Sequence, residues 1–453
     1  MNLTMNKTDN ITSGPIIKTI FSLSIPVVLA MFMEFALITT DYFWVGKLGP
    51  TAQDAVMTSM VVIWTVFGFI SIITVGVTAL VSRYIGADEP DKAAHFIRQG
   101  LSLSVVVGSV FSIAGFFMTP IMLRFMGTSE TTMLHAIPFL RVYFTISALF
   151  FIIDTIYAAF RASGDTKTPT IIGVTTVVIN MALDPLLMFG WGPIPSFGVP
   201  GAAIATGISV LIGVIWVMIK MQKGKLGYKV EKLFRTPPII KDIIKIMRIG
   251  LPISSQQMVF VIVYWFLIRI VHEFGGEAAA AMGIGNRMES FSYMTCFGFS
   301  IAASTMVGQN LGAKKPDRAA KCAWGAAGIA ISLTFLMSVC FIVFPKYIAT
   351  IFTDDPKVLS IAIDYLIILG LSQITMATEI VLEGAFSGAG DTMPPMLISI
   401  PGALARIPLA YYLCFSLDLG INGVWWTLTI TTTVRAIILA LWFKKGSWKL
   451  KEV

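Results

Sequence analysis

Long apolar stretches, separated by short polar connections, occupy almost the whole chain. Each stretch has roughly 20 residues or more, the length that an α-helix needs to cross the hydrocarbon core of a bilayer. Charged residues are sparse within the stretches and gather between them. The pattern predicts twelve membrane-spanning helices, at 17–44, 52–82, 94–122, 134–160, 167–190, 199–221, 243–271, 277–307, 320–344, 358–386, 393–415 and 421–443.

The second half of the chain repeats the first half in a fixed register. Glycine, proline and acidic positions of the first six spans reappear 226 positions later, or 222 positions later after a four-residue deletion. Six spans return the chain to its starting side, so both halves insert in the same orientation. We therefore predict an all-α polytopic membrane protein with two six-helix lobes related by a pseudo-twofold axis along the membrane normal. The paired positions include Gly86 and Gly312, Pro90 and Pro316, Gly164 and Gly390, and Gly198 and Gly420.

Basic residues set the expected orientation and the domain boundaries. Lys and Arg concentrate in connections 2–3, 4–5, 6–7 and 8–9 and in the C-terminal tail. By the positive-inside rule, both termini and the linker should face the cytoplasm, as in a multi-pass protein of the cytoplasmic (inner) membrane. The predicted regions are an N-terminal tail (1–16), an N-lobe (17–221), a cytoplasmic linker (222–242), a C-lobe (243–443) and a basic C-terminal tail (444–453).

Composition excludes several classes of protein. With 56% hydrophobic and 13% charged residues and a mean hydropathy of +0.81, the 453-residue chain has too little polar surface for a soluble protein. The basic connections account for the net charge of +8, so no nucleic-acid partner is expected. The four Cys lack CxxC spacing and the three His are isolated, which indicates neither a metal centre nor a disulfide framework. Catalytic and phosphate-loop motifs are missing from usable contexts, so we expect no enzyme, no cofactor and no ATP-driven pump.

Acidic side chains inside the spans of the first half are the main candidates for function. An ionised carboxylate at mid-span costs about 2.5–3.5 kcal/mol on insertion scales and is rare unless it is used. Span 1 carries Glu34 and Asp41, two turns apart on one face, and span 4 carries Asp154. Span 5 carries Asn180 and Asp184, an i, i+4 pair. A rise of about 1.5 Å per residue places the two aspartates of spans 1 and 5 in the outer half, above a layer with Glu34 and Asn180. Hydrogen bonding to neighbouring helices is the alternative role for this set.

The second half carries different charges at the corresponding positions. Glu379 and Glu383 are an i, i+4 pair in span 10, and Arg406 on span 11 lies within about 5 Å of the depth of Glu379 on the same rise. The pattern predicts an intramembrane ion pair, with contact between the glutamates and substrate as the alternative. A similar local network is predicted in span 8, from Asn286, Arg287 and Glu289.

Three sequence runs carry a resemblance that extends over the whole chain. They are 283–290 (GIGNRMES), 307–313 (VGQNLGA) and 180–185 (NMALDP). The chain resembles the multidrug and toxic compound extrusion (MATE) family of transporters. Asp41, Asn180 and Asp184 are similar to the N-lobe proton site of its prokaryotic DNA-damage-inducible branch. The resemblance implies rocker-switch antiport, with protonation of the N-lobe acids linked to bending of span 1.

Four positions depart from the patterns of the family. Glu34 and Asp154 stand where members of this branch more often have amides, so the N-lobe is more acidic than usual. Phe260 and Met376 stand where the sodium-coupled branch tends to carry acids. The resemblance therefore implies that the C-lobe cation site of that branch is absent here.

Residues and resemblance together predict a secondary active antiporter that exports amphipathic, cationic organic compounds. The favoured coupling ion is H⁺, and Na⁺ held by the oxygens of Asp41, Asn180 and Asp184 is the alternative. Expected partners are small organic substrates and the lipid bilayer, and the expected state is a monomer. A lipid-linked-saccharide flippase is the second hypothesis, which the twelve spans and the acidic N-lobe disfavour. A membrane-bound enzyme or receptor is the third hypothesis. It is the least favoured, because the sequence shows no nucleophile, metal cluster or sizeable soluble domain to support it.

Overall fold

A computed structural model describes residues 11–230, 233 and 237–452. Parts of the predicted N-terminal tail (1–10), of the linker (231–232 and 234–236) and of the C-terminal tail (453) lie outside the described residues. Apart from an isolated bridge between Trp191 and Ile194, the regular elements of the described chain are helices. In order they are α1 Ile16–Gly46, α2 Pro50–Gly86, α3 Pro90–Phe125, α4 Glu130–Ala162, α5 Lys167–Phe189, α6 Val199–Gln222, α7 Ile240–His272, α8 Gly276–Gly312, α9 Pro316–Val343, α10 Pro345–Thr350, α11 Pro356–Gly370, α12 Gln373–Ala389, α13 Met393–Leu404, α14 Arg406–Tyr411, a π turn Tyr412–Ser416, α15 Asn422–Lys445 and a 3₁₀ turn Ser447–Leu450.

Every predicted span coincides with one of these helices or with a broken run of them, and the span predicted at 393–415 covers α13, α14 and the π turn. Ten helices in the described chain are long and apolar enough to cross a membrane, and the pair α11 and α12 makes an eleventh. The remaining span, predicted at 277–307, falls on α8, which has 37 residues but carries charges in its first half. The all-α polytopic fold class is confirmed.

Span 10 is broken where a single straight helix was predicted. α11 ends at Gly370 and α12 begins at Gln373, and the two are bent by 54°. A Gly and a Ser near the break favour a kink, and neighbouring side chains satisfy the carbonyls that the kink releases. Ser338 Oγ donates to the carbonyl of Gly370 at 2.6 Å, and Thr429 Oγ1 donates to the carbonyl of Ile368 at 3.0 Å.

Contacts divide the chain into two compact units. Unit 1 is Leu29–Gly250, and unit 2 is 11–28 together with 251–452. The opening half of α1 thus belongs to unit 2, and the opening third of α7 belongs to unit 1. The assignment of 17–221 and 243–443 as functional lobes stays a prediction.

Backbone conformations follow the duplication. Asp88 and Lys314, 226 positions apart, are the matched non-glycine residues with positive φ, at 59° and 58°. Each unit therefore uses the same strained turn between its second and third helices. Matched glycines also share positive φ: Gly49 and Gly275 (109° and 98°), Gly164 and Gly390 (83° and 75°), Gly198 and Gly420 (60° and 54°), and Gly224 and Gly446 (73° and 81°).

In unit 1, the segment that leads into α7 is fixed by side chains of α3. Gln99 Nε2 donates to the carbonyl of Pro237 at 3.2 Å, and the Ile239 amide donates to Gln99 Oε1 at 2.8 Å. His95 Nε2 lies 2.8 Å from a carboxylate oxygen of Asp242. A Cβ at Gly250 would collide with the backbone of Ile72, so α7 and α2 cross closely here.

In unit 2, the segment that leads into α1 is fixed in a corresponding way. Asn310 Nδ2 and Arg318 Nη2 donate to the carbonyl of Ile11, at 3.4 and 3.3 Å. Lys315 Nζ donates to the carbonyl of Thr12 at 3.1 Å. Ile11 stands 226 positions before Pro237, so each unit holds the entering segment of the opposite repeat at an equivalent place.

The end of each repeat packs against its own unit. The Tyr228 hydroxyl is hydrogen-bonded to Ser163 Oγ at 2.9 Å, and Leu226 is buried in unit 1. In unit 2, Trp448 is fully buried and stacks on Phe443, with ring centroids 4.5 Å apart. Leu226 and Trp448 are 222 positions apart, which is the displacement of the repeat after its deletion. The first residues of the linker and of the C-terminal tail therefore occupy equivalent positions in the two repeats.

Candidate ion-coupling site

Asp41 on α1 and Asp184 on α5 interact with each other inside unit 1. Asp184 is 0% exposed and Asp41 is partly buried. Apart from this contact between the two carboxyl groups, neither carboxyl oxygen of Asp184 has a hydrogen-bond partner among the described residues, and the same holds for Oδ1 of Asp41. Two neighbouring carboxylates cannot both stay ionised without compensation, so this pair calls for a proton or another cation.

Aromatic packing holds the two aspartates near each other. Trp44, one turn after Asp41, packs edge-on against Phe189 at the end of α5, with ring centroids 6.0 Å apart. Lys47 Nζ lies 4.7 Å from the ring centroids of both Phe43 and Trp44. The ring contact joins the end of α1 to α5, and the cation–π contacts hold Lys47 against that end of α1.

Asn180 presents its carbonyl oxygen without a partner. Its Nδ2 donates to Thr206 Oγ1 on α6 at 3.0 Å, and that hydroxyl in turn donates to the carbonyl of Ala202 at 3.0 Å. Because the Thr206 proton is used, its oxygen must accept, which fixes the orientation of the Asn180 amide. Asn180 Oδ1 is buried and has no hydrogen-bond partner among the described residues.

Proline adds a further acceptor beside this site. Pro185 lies inside α5 directly after Asp184 and has no N–H, so it cannot donate to the carbonyl of Met181. Asn180 and Asp184 lie one turn apart on the same face. The local sequence of α5 therefore concentrates oxygen acceptors on the side that faces Asp41.

Glu34 and Asp154 belong to a separate charged group in unit 1. Glu34 interacts electrostatically with Asp154 and Arg161, and Asp154 interacts with Arg161. Tyr143 and Tyr157 of α4 border the group. The five predicted coupling residues thus fall into a pair with its amide (Asp41, Asp184, Asn180) and a second group.

Arg161 is a member of this group that was not predicted from the sequence. It follows the predicted end of span 4 by one residue and lies in the last turn of α4. It follows Asp154 by seven residues, which puts both side chains on one face of the helix. The same two-turn spacing identified Glu34 and Asp41, so the signal was present.

In unit 2, the predicted pairing of Arg406 with Glu379 is wrong. The ion pair of Glu379 is with Arg435 on α15, at 3.2 Å, and both side chains are less than a tenth exposed. Arg406 instead donates from Nε to Thr431 Oγ1 at 2.9 Å and from Nη2 to Thr432 Oγ1 at 3.0 Å. Arg406 and Glu379 interact electrostatically without a direct ion pair, because the direction of a side chain around the helix axis decides which side chains meet.

The other members of the predicted second-half network also have specific partners. Glu383 Oε1 accepts from Gln256 Nε2 at 2.6 Å and from Ser399 Oγ at 3.0 Å. The Arg406 guanidinium lies 5.5 Å from the ring centroid of Phe260. Phe260 stands where the sodium-coupled branch tends to carry an acid, and in this chain it makes a cation–π contact with Arg406.

The span 8 network forms without Arg287. Asn286 donates to the Tyr264 hydroxyl, and Asn286 Oδ1 accepts from the Tyr365 hydroxyl at 3.0 Å. Tyr365 also reaches Glu289 Oε2 at 3.5 Å. Arg287 is exposed and points away from these partners. One position further along a helix turns a side chain by about 100°, which separates Arg287 from Asn286.

Unit 1 and unit 2 therefore handle charge differently. Within the described residues, no three His, Cys, Asp or Glu side chains cluster closely enough to hold a metal ion. The Asp41–Asp184–Asn180 group, with four buried oxygens that have no partner outside the group, fits a proton or a monovalent cation better than a multivalent metal.

Two repeats of long apolar helices with charged groups buried inside define a multi-pass membrane protein of the transporter class. The MatE family model matches the chain twice, over residues 26–186 and 252–412. The chain belongs to the MatE family of multidrug efflux transporters. The two matched segments begin 226 positions apart, which is the displacement of the internal repeat. Because the family consists of transporters, the chain is a transporter and not an enzyme.

Known relatives cover almost the full length of the chain. It is 28% identical to a probable multidrug resistance protein NorM of Thermotoga maritima, over 96% of this chain and 94% of that protein. It is 23% identical to an FAD transporter of Shewanella oneidensis, over 96% and 95%. A solved structure of a MOP superfamily transporter from Pyrococcus furiosus is 23% identical, over 98% of this chain and 99% of that one, with a TM-score of 0.91. That likeness confirms the fold.

Proposed function

We propose that the protein is a secondary active antiporter that exports amphipathic cationic compounds in exchange for protons by alternating access. The coupling site is the Asp41–Asp184 pair with Asn180. The observation that supports this proposal most is the set of four buried oxygens on these residues that have no hydrogen-bond partner outside the group itself. Such oxygens are costly unless a proton or cation occupies them in part of the cycle.

Competition between proton and substrate provides the coupling. A ligand shifts an equilibrium only as far as its affinities for the two states differ. With Asp41 and Asp184 ionised, a cationic compound gains electrostatic attraction, and with a proton bound it loses that attraction. Proton loading therefore favours release of the cation, and proton release favours its capture.

The decisive test is transport by purified protein in liposomes under separately imposed gradients. A fluorescent organic cation should move when a proton gradient alone is applied, and Asp41→Asn and Asp184→Asn should reduce transport to the level of protein-free liposomes. Asp88→Asn is the matched control, because Asp88 is exposed in a turn and tolerates the same change. Transport at the normal rate by both site variants would remove this pair from the coupling site.

Sodium coupling is the second candidate, and one observation favours it. Asn180 Oδ1 is an amide oxygen that does not titrate, yet it is buried without a partner beside the acid pair. Carboxylate and amide oxygens are suitable ligands for a hard cation. Asn180→Asp keeps an oxygen ligand and Asn180→Leu removes it. Sodium coupling would replace the proton proposal if a sodium gradient drove transport, Asn180→Leu abolished that transport and Asn180→Asp preserved it.

Cargo is tested in the same vesicles. The Shewanella relative is an FAD transporter, and FAD is an anion. Liposomes loaded with FAD therefore measure whether this chain accepts anions. We expect transport of the organic cation and none of FAD, because the helices of unit 1 carry the four acids Glu34, Asp41, Asp154 and Asp184 against the two partly buried arginines of α4, Arg141 and Arg161. Export of FAD with no export of cations would contradict the proposed substrate class.

Topology is part of the proposal, with both termini and the linker in the cytoplasm of an inner-membrane protein. Cys340 is the exposed native cysteine among four free ones, so the starting variant is Cys340→Ala. Pro195→Cys and Lys225→Cys then introduce reporters at two exposed positions. A membrane-impermeant thiol reagent added to intact cells should label the first and not the second. The reverse result would invert the orientation.

A further inference from the structure

A groove in unit 2 has no part in the site described above. It has a volume of about 590 Å³ and lies between the end of α7 and the segment formed by α14 and the π turn. Small-molecule sites usually have about 300–1,000 Å³, so the groove is large enough for a substantial organic group. Its walls include Phe266 and Ile270 from α7 and Pro408, Tyr411 and Tyr412 from the other side.

The π turn creates one wall of the groove. In Tyr412–Ser416 the backbone is wider than an α-helix, and the Leu417 amide donates to the carbonyl of Tyr412 at 3.1 Å. Single π turns of this kind occur frequently at functional sites. Here the turn presents two consecutive tyrosines, Tyr411 and Tyr412, which are 60% and 52% exposed.

Two opposite charges lie at the rim of the groove. Arg269 is in the last turn of α7 and Glu273 follows the helix, four residues later, so they point to the same side. Both are exposed, and neither forms an ion pair with any described residue. A rim with a free cation and a free anion side by side is complementary to a zwitterion.

The position of the rim relates it to lipid head groups. α7 has 33 residues and a length of about 50 Å, whereas the hydrocarbon core is about 30 Å thick. Its last turn therefore reaches the head-group level. Tyrosines with an apolar ring and a polar hydroxyl are typical of this level, which agrees with Tyr411 and Tyr412 beside the rim.

We propose that this groove binds a zwitterionic phospholipid with a primary ammonium group. The phosphate contacts Arg269, whose planar guanidinium matches phosphate oxygens. The ammonium donates hydrogen bonds to Glu273, and an acyl chain lies against Phe266 and Tyr412. A quaternary ammonium has no N–H to donate to the carboxylate, and a lipid with net negative charge is repelled by it. Selectivity among head groups therefore resides in Glu273.

Native mass spectrometry of the delipidated full-length protein tests this site. Phosphatidylethanolamine, phosphatidylcholine and phosphatidylglycerol with identical acyl chains are added in equal amounts, and the fraction carrying one lipid is measured. We expect phosphatidylethanolamine to dominate. Arg269→Gln and Glu273→Gln should each reduce its binding about two- to fivefold, as expected for one exposed charge contact. Arg124→Gln removes an exposed arginine outside the groove and should change nothing.

A selectivity switch separates this role from a loss of structure. Glu273→Lys leaves two cations at the rim, so phosphatidylglycerol should replace phosphatidylethanolamine as the preferred lipid. A damaged groove would lose all three lipids together and would not exchange one preference for another. Equal binding of the three lipids by the unaltered protein, or an unchanged preference in Glu273→Lys, would overturn the proposal.

Discussion

Unit 1 and unit 2 descend from one repeated sequence and share their backbone turns, yet they treat buried charge in opposite ways. In unit 1, the carboxyl oxygens of Asp184 and one oxygen of Asp41 have no partner among the described residues other than each other. In unit 2, Glu379 pairs with Arg435, and Glu383 accepts from Gln256 and Ser399. The difference indicates that the two repeats kept the same backbone turns but diverged in where they carry acids and in how those acids are partnered.

Unsatisfied and satisfied charges have different uses. A buried group whose partners are complete is expensive to change, so it fixes one arrangement of helices. A buried acid without a partner changes its charge readily when its surroundings change, which an ion-driven cycle requires. Unit 1 is therefore the expected place of titration, and unit 2 the expected place of rigidity. Four measurements test this division.

The largest effect is expected for neutralisation of the unit 1 acids. Asp184→Asn should abolish export while the melting temperature stays equal or rises, because an amide costs less to bury than an unpartnered carboxylate. Export of a fluorescent cation and thermal unfolding in detergent are measured on the same preparations. A variant that loses export only because it unfolds would break the comparison.

A smaller but clear effect is expected when unit 2 loses a charge. Arg435→Gln leaves Glu379 buried without its partner and should lower the free energy of unfolding by about 3–5 kcal/mol. Combination with Glu379→Gln should restore most of it. Thermal unfolding of the two single variants and the double variant gives the coupling energy. Strictly additive effects would show that the pair is not a unit.

Acidification should weaken binding of a cationic substrate through unit 1. As the pH falls from about 8 to about 5.5, protons replace the charge of the acid pair, and the dissociation constant should rise about fivefold or more. Isothermal titration of the purified protein measures it. The rise of the dissociation constant should be much smaller in Asp41→Asn. It should be as large in Glu379→Gln as in the unaltered protein. An equal response in all three proteins would place the titrating group elsewhere.

The smallest effect is expected at an uncharged hydrogen bond of unit 1, between Tyr228 and Ser163. Tyr228→Phe removes the hydrogen bond to Ser163 and should cost about 0.5–1.5 kcal/mol. Desolvation raises the pKa of the Tyr228 hydroxyl, so its contribution is complete below the ordinary tyrosine pKa of about 10 and is lost only above it. Unfolding at neutral pH compares the variant with the parent. Loss of export at unchanged stability would give the linker a role in transport.

The sequence allowed the helices to be predicted because two independent signals agreed. Apolar length marked each span, and the repeat confirmed the register through turns such as those at Asp88 and Lys314. The break at Gly370 was not predicted, because no proline marks it. It depends on Ser338 and Thr429 from other helices, whose positions are known only after folding.

Candidate residues were predictable by depth but not by partner. Intramembrane acids stand out because they are costly, which is how Asp41 and Asp184 were found. Arg435 obeys the same rule, as a basic residue inside span 12, and it was not predicted although Arg406 and Arg287 were. Which residue Glu379 meets depends on the rotation of each helix about its axis. A rise per residue carries no information on that rotation.

The exchange of opening segments between the repeats has a consequence for biosynthesis. Residues 11–28 are made first but belong to unit 2, whose other residues begin at 251. At about 5–20 residues per second, the start of α1 waits on the order of tens of seconds in the bilayer before its first native neighbours are translated. A membrane helix tolerates the delay because its backbone is already hydrogen-bonded within itself. If the gene were divided between the repeats, each fragment would lack a helical segment that packs in its unit. Only co-expression of the two fragments could then complete either unit.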